Sequence, residues 1–245
     1  MTDRIFEIGE SGLDSADQKV RRLMDNMAGS EVPGYKQADV TVRGFPLALE
    51  GASRRLAAMK PQAESTFYNQ TQGSLIKTNG KLDMALGGPG YFVVAGAWGE
   101  GFTRDGRFRL DKDGRMLTVA GNLPVLGENG PIVVPQGAEV EVSQIGEIKV
   151  DGVLVDRVRV VMPEDSTGLE SLNGSIFKRS NSAVVMTEIE DPRVIQGYVE
   201  SSNINIVDQM VEMMELERTY SINSKVIQTR GDMLTRAMEL GRATQ

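Results

Sequence analysis

The chain has 245 residues, 40% of them hydrophobic and 25% charged, which fits one large or two smaller folded domains and excludes global disorder. Its 34 acidic against 27 basic residues give a net charge of −7, so it lacks the basic excess with which nucleic-acid binders attract phosphate. Cysteine and histidine are both absent, which rules out disulfides, thiolate nucleophiles, imidazole metal ligands and Ser-His-Asp chemistry; no catalytic centre, metal or cofactor is expected.

Near the start, Phe6, Leu13, Ala16, Val20, Leu23 and Met27 recur at helical spacing, and a helix is expected over about residues 4–28. Gly29 and then Val32-Pro33-Gly34-Tyr35 end it, because proline disfavours helix in the residue before it. The opening stretch lacks the basic-then-apolar order of a secretory signal, so export would use a route without a cleaved signal peptide. Over residues 37–70, Thr41-Val42-Arg43 reads as extended and Leu47–Met59 as a short helix. No run of about 18 apolar residues predicts a direct membrane span.

From residue 80 to 200 the texture changes to short apolar runs broken by Gly, Asp and Asn. Strands are expected at 82–86, 91–95, 101–104, 107–110, 115–119, 131–134, 138–142, 145–150 and 157–162, with hairpins at Asp105-Gly106 and Asp113-Gly114 and a surface loop from Pro163 to Gly174. The last element is a long helix over about 206–240, whose stripe of Ile206, Met210, Met213, Leu216, Tyr220, Asn223, Ile227, Leu234 and Met238 has the narrow period of a coiled coil. The competing reading is a helix docked on its own domain.

The expected fold class is therefore α+β. Long N- and C-terminal helices would form a coiled-coil-like axial domain from residues 1–36 and 201–245, joined through a 37–80 connector to a mostly antiparallel β-rich domain at 81–200. A lone helix pair is marginal, and copies of the same chain are the simplest source of further buried surface.

Motifs that suggest chemistry fail on context. Gly87-Gly88-Pro89-Gly90 lacks the Lys-Ser/Thr of a phosphate loop and opens a strand. Asp111-Lys112-Asp113-Gly114 lacks an oxygen ligand at Arg109 and the flanking helices of an EF-hand. Asp105, Asp111, Asp113 and Asp151 could supply a glycosidase pair, but each lies at or near a turn glycine. The methionines of the last helix fit an adaptable packing seam better than a ligand groove.

Taken in order, the blocks resemble the flagellar axial (rod and hook) protein family, and its basal-body rod proteins most closely. The first carrier is Asn26 and Ala28 followed by Gly34-Tyr35-Lys36, with Gly29 standing where the family's second Asn is expected. Then come Gly73-Ser74-Leu75, Leu82-Asp83, Gly90 with Phe92, and Thr103-Arg104-Asp105-Gly106-Arg107-Phe108. The last block is Glu200-Ser201-Ser202-Asn203-Ile204-Asn205, with Arg218 and Asn223 beyond it. This resemblance implies a structural subunit of a helical tube in the basal body, in the periplasm. Its partners would be copies of itself, other flagellar rod subunits and the flagellar type III export apparatus. The seams above would be the assembly residues, and the length favours the proximal-rod over the distal-rod type. Distal rod, hook, and a secreted β-rich enzyme or adhesin are the alternatives.

Overall fold

A computed structural model describes residues 2–41, 65–164, 168–181 and 184–243. The chain forms two compact units, one from residues 1–25, 40–65 and 205–245 and the other from 26–39 and 66–204. Helix α1 spans Thr2–Gly29. Strands β1 Ala38–Thr41, β2 Ser65–Tyr68, β3 Leu75–Lys77, β4 Met84–Leu86, β5 Tyr91–Gly96, β6 Gly99–Thr103, β7 Phe108–Leu110 and β8 Met116–Thr118 follow. The chain continues through β9 Leu126–Gly127, β10 Gly130–Pro131, β11 Val140–Val142, β12 Glu147–Val150, β13 Val153–Arg157 and β14 Val160–Pro163. The last strands are β15 Leu169–Ser171, β16 Ile176–Arg179, β17 Met186–Glu188, β18 Val194–Gln196 and β19 Tyr198–Glu200, before helix α2 Ile206–Ala243.

The fold is dominated by antiparallel β-structure, and this corrects the expected class. Both ends are helical, but among the described residues α1 and α2 do not form a coiled coil. The physical reason lies in the side chains. In α1, Ala16 and Leu23 are already buried within the single chain. In α2, the exposed apolar residues Ile206, Val207, Met210, Val211 and Met214 form a broad band rather than the narrow two-per-heptad seam that supercoiling requires. The Val42-Arg43 and Leu47–Met59 expectations lie outside the described residues, whereas Thr41 ends β1.

The centre of the second unit is a six-stranded antiparallel sheet in the order β15-β16-β6-β5-β14-β17. Its central strand reads Tyr91-Phe92-Val93-Val94 without polar alternation, because both of its faces are covered. Phe92 and Val94 point into a core with Met84, Leu86, Phe108, Met116, Val125 and Val160. Tyr91 and Val93 point the other way, toward Phe102, Val161, Leu169, Phe177, Tyr68 and Ala38. Phe177 makes edge-on contacts with Tyr68 at 4.9 Å and Tyr91 at 5.6 Å between ring centroids.

Three local expectations change. Asp113-Gly114 does close a hairpin, β7 on β8, where the Asp111 carboxylate accepts from the N–H groups of Asp113 and Arg115 at 2.8 Å each. Asp105-Gly106 does not: β6 pairs with β5 and β16, and β7 with β8, so the chain turns a corner between sheets there. Gly106 allows that corner because a Cβ would fall 1.5 Å from the Met84 carbonyl oxygen, whose own N–H donates to the Gly106 carbonyl at 2.9 Å. The 157–162 strand is split between β13 and β14, and the Pro163–Gly174 stretch carries β15, whose Leu169 is buried in the aromatic core.

Candidate functional site

The point where the chain commits its charges lies inside the second unit. Lys36 follows the turn that ends α1, Arg104 follows β6, and Glu200 ends β19. Their side chains meet with only 1%, 3% and 1% of their surface exposed, respectively. Glu200 Oε1 accepts from Lys36 Nζ at 2.7 Å and from the Gly73 N–H at 3.1 Å, while Oε2 accepts from Arg104 Nη1 at 3.0 Å. Lys36 Nζ also donates to the Thr71 carbonyl at 2.8 Å and Arg104 Nη2 to the Gly88 carbonyl at 2.7 Å. The guanidinium carbon of Arg104 stands 5.7 Å from the Tyr91 ring centroid. Buried charge is tolerated only when paired and hydrogen-bonded, and here one carboxylate serves two cations.

The electrostatics follow from burial. Desolvation pushes the Lys36 ammonium below its ordinary pKa, and the Glu200 carboxylate pulls it back up. Burial lowers Arg104 against the same opposing charge. Burial also pushes the Tyr91 phenol up to about 12, opposed by its hydrogen bond to Gln70.

Backbone contacts surround the charges and tie three distant segments together. The Gly34 N–H donates to the Glu200 carbonyl at 2.8 Å, and the Ser201 N–H to the Ser74 carbonyl at 2.8 Å. The Asn203 carboxamide accepts from the Gln37 N–H at 2.8 Å and donates to the carbonyls of Asn69 at 2.9 Å and Thr71 at 3.1 Å. Asn26 makes a reciprocal pair with the backbone of Ala38, donating at 2.8 Å and accepting at 2.9 Å. Gly34 has φ +70°, and a Cβ there would lie 2.2 Å from the Asp105 nitrogen, so only glycine lets the helix exit press onto the corner after β6. The Tyr35 ring rests on Gly29 and Gly174. The small residue at position 29 thus makes room for an aromatic anchor.

The structure brings together Asn26, Gly34, Tyr35, Gly73, Ser74, Arg104, Glu200 and Asn203 from four separate sequence blocks. Other motif residues have local tasks. Phe92 and Phe108 fill the core with Leu82 against it, and the Thr103 hydroxyl donates to the Ser175 carbonyl at 2.7 Å. The Asp83 carboxylate accepts from the Thr78 hydroxyl at 2.6 Å, and Gly90 sits at φ +121° where β5 begins. The Ser202 hydroxyl accepts from the Ile204 N–H at 3.3 Å, and the Asn205 carboxamide oxygen from the Val207 N–H at 3.1 Å, capping α2. Leu75, Ala28 and Arg218 are exposed, and the Asn223 side chain lies outside the described residues.

Along the expected seams, Ala16 and Leu23 are buried and Val20 and Met27 half-buried; Ile206, Met210 and Tyr220 are exposed, and Met213 and Leu216 half-buried. The side chains of Phe6, Leu13, Ile227, Leu234 and Met238 lie outside the described residues. Sequence reasoning placed Lys36, Arg104 and Glu200 in different motifs without foreseeing that they meet. Opposite charges inside otherwise glycine-rich and apolar blocks are the signal that could have paired them.

Comparison with known proteins accounts for the pattern. A family model described as the flagellar hook protein FlgE/F/G D1 domain matches residues 85–150, and one described as the flagellar basal body rod FlgEFG protein C-terminal matches 195–240. The chain is 32% identical over 231 residues to the flagellar basal-body rod protein FlgF of Escherichia coli, covering 88% of this chain and 89% of that one. It is 29% identical to FlgF of Caulobacter vibrioides, over 92% of this chain and 94% of the relative. It is also 29% identical to the rod protein FlgG of Buchnera aphidicola, over 95% and 98%. With Arg104 inside one matched region, Glu200 inside the other and the likeness running nearly end to end, this chain belongs to the flagellar basal-body rod protein family.

Proposed function

We propose that the chain is a structural, non-catalytic subunit of the proximal part of the flagellar basal-body rod. It would assemble helically with copies of itself and other rod subunits into a periplasmic shaft enclosing an export channel. The observation that carries the assembly reading is the apolar band at the start of α2: Ile206, Val207, Met210, Val211 and Met214 are all exposed in the single chain. It lies within the segment, residues 195–240, that the C-terminal rod family model covers. A band of that size in water is costly and is covered when equivalent helices of neighbouring subunits pack on it. Contacts of this kind between different surfaces of successive copies do not close and so grow as a filament.

The described stripe of α1 is largely covered within its own chain, so α2 supplies the sticky surface. Delivery would run through the flagellar type III export apparatus. Relatives named FlgF and FlgG match alike at 29% identity, so identity does not separate proximal from distal rod and position in the basal body must. Electron cryo-microscopy of basal bodies tests the proximal assignment: density for this chain at the base of the rod is expected, and density confined to the distal rod or hook overturns the assignment. Met210→Asp combined with Leu216→Asp is expected to abolish swimming while the secreted subunit keeps its β-fold. Unimpaired swimming removes α2 from the assembly surface.

A further inference from the structure

Two segments of the second unit adjoin the terminal helices: residues 34–38, after α1 ends at Gly29, and residues 199–203, before α2 begins at Ile206. The second of them has little sheet to hold it. Among the described residues β19 pairs only with the three residues of β3, and a two-stranded ribbon is marginal by itself. The two segments hold each other instead. The Gly34 N–H donates to the Glu200 carbonyl at 2.8 Å, the Gln37 N–H to the Asn203 carboxamide oxygen at 2.8 Å, and the Lys36 ammonium to the Glu200 carboxylate at 2.7 Å. Both also grip the same third segment, since Lys36 Nζ and Asn203 Nδ2 donate to the Thr71 carbonyl at 2.8 and 3.1 Å.

These bonds depend on one another. Lifting residues 199–203 takes away the Glu200 carboxylate and leaves Lys36 and Arg104, 1% and 3% exposed, without a counter-charge. Lifting residues 34–38 takes the Gln37 donor from Asn203 and one of the two cations from Glu200. Opening one segment alone therefore costs nearly as much as opening both, whereas the six-stranded sheet keeps its own ladder throughout.

We propose that residues 34–38 and 199–203 form a single strap that opens and closes as one unit, more readily than the central sheet, so that a displacement at the root of either terminal helix is felt at the root of the other. The coupling belongs to the single chain and goes beyond the rod-subunit reading. In a shaft built of such subunits, it gives load on one helix a route to the other.

Native-state hydrogen exchange of the full-length chain tests this, followed residue by residue by NMR across a urea series below the unfolding midpoint. The amides of Gly34, Gln37, Gly73 and Ser201 are expected to share one opening free energy and one urea slope. Both should lie below those of Val93 in β5, whose N–H donates to the Arg159 carbonyl at 3.2 Å. Asn26→Ala acts on the first segment through both bonds to the Ala38 backbone, yet is expected to speed exchange at Gly73 and Ser201 by the same factor as at Gly34, about tenfold. In the reverse direction, trimming the buried Val199 with Val199→Ala is expected to speed exchange at Ala38 severalfold. Acceleration confined to the substituted segment overturns the proposal, because the two segments then open separately. Exchange at Gly34 and Ser201 as slow as at Val93, with the same urea slope, overturns it as well, since the strap then has no opening of its own. Either failure leaves the rod-subunit reading to the basal-body map.

Discussion

Replacing Glu200 by Gln probes the ionic junction most directly. The change keeps the size of the side chain and removes its charge, leaving Lys36 and Arg104 buried without a counter-ion. A neutral amide also has one acceptor end where the carboxylate had two, so its NH₂ faces the N–H donors of either Lys36 or Arg104. Breaking a buried ion pair by removing one partner costs about 3–5 kcal/mol, because the surviving charge stays desolvated. With a urea m-value of about 2 kcal/mol per molar, the midpoint should fall by about 2 M.

Trp98, the only tryptophan, lies in the second unit, so its fluorescence follows unfolding of the part that contains the junction. Lys36→Met provides the internal comparison. It leaves Arg104 and Glu200 as a matched pair, removes an ammonium that burial already disfavours, and is expected to cost less than Glu200→Gln. Asp17→Asn breaks a 2.8 Å pair with Arg21 whose partners are both more than half exposed, and is expected to change stability by about 0.5 kcal/mol or less. A loss below about 1 kcal/mol for Glu200→Gln, or a larger loss for Lys36→Met, would refute the claim that the carboxylate holds the junction.

Asn26→Ala should cost about 1–3 kcal/mol in the same urea assay, since it leaves the buried N–H and C=O of Ala38 without their partner. Gly34→Ala is expected to cost more than about 1 kcal/mol, because φ +70° and the Asp105 backbone both oppose a Cβ; a neutral result would mean that the turn can relax freely. Tyr91 should remain un-ionised in an ultraviolet titration until about pH 12, while the unfolded chain ionises all five tyrosines near pH 10. The native state then holds the extra proton between those values, so stability falls by about 3 kcal/mol as pH rises from 10 to 12. Ionisation of every tyrosine near pH 10 in the folded chain would contradict the burial.

Some features were legible because they are local. Tyr91-Phe92-Val93-Val94 is a strand in any context that can cover it, and the Asp111–Gly114 turn closes on its own carboxylate. Gly29 and Pro33 stop the first helix where the sequence places its end. The likeness to rod proteins was readable for the same reason, as its blocks are short runs of residues with such local or nearby duties. Sequence periodicity overreached at the helices. It located apolar stripes without showing that Ala16 and Leu23 are consumed inside the chain, or that the band on α2 is wider than a seam.

The sequence alone therefore determined which segments turn, which extend and which coil, since those preferences act over a few residues and a few tenths of a kcal/mol at a time. Only the tertiary structure decided where the pieces go. Asp105-Gly106 carries the sequence of a hairpin, yet the backbone of Met84 takes the place of the expected partner strand. Lys36 and Glu200 stand 164 residues apart and meet at 2.7 Å, each with 1% of its side chain exposed, where a buried charge needs a counter-charge. Burial makes that demand, and burial is a property of the assembled chain.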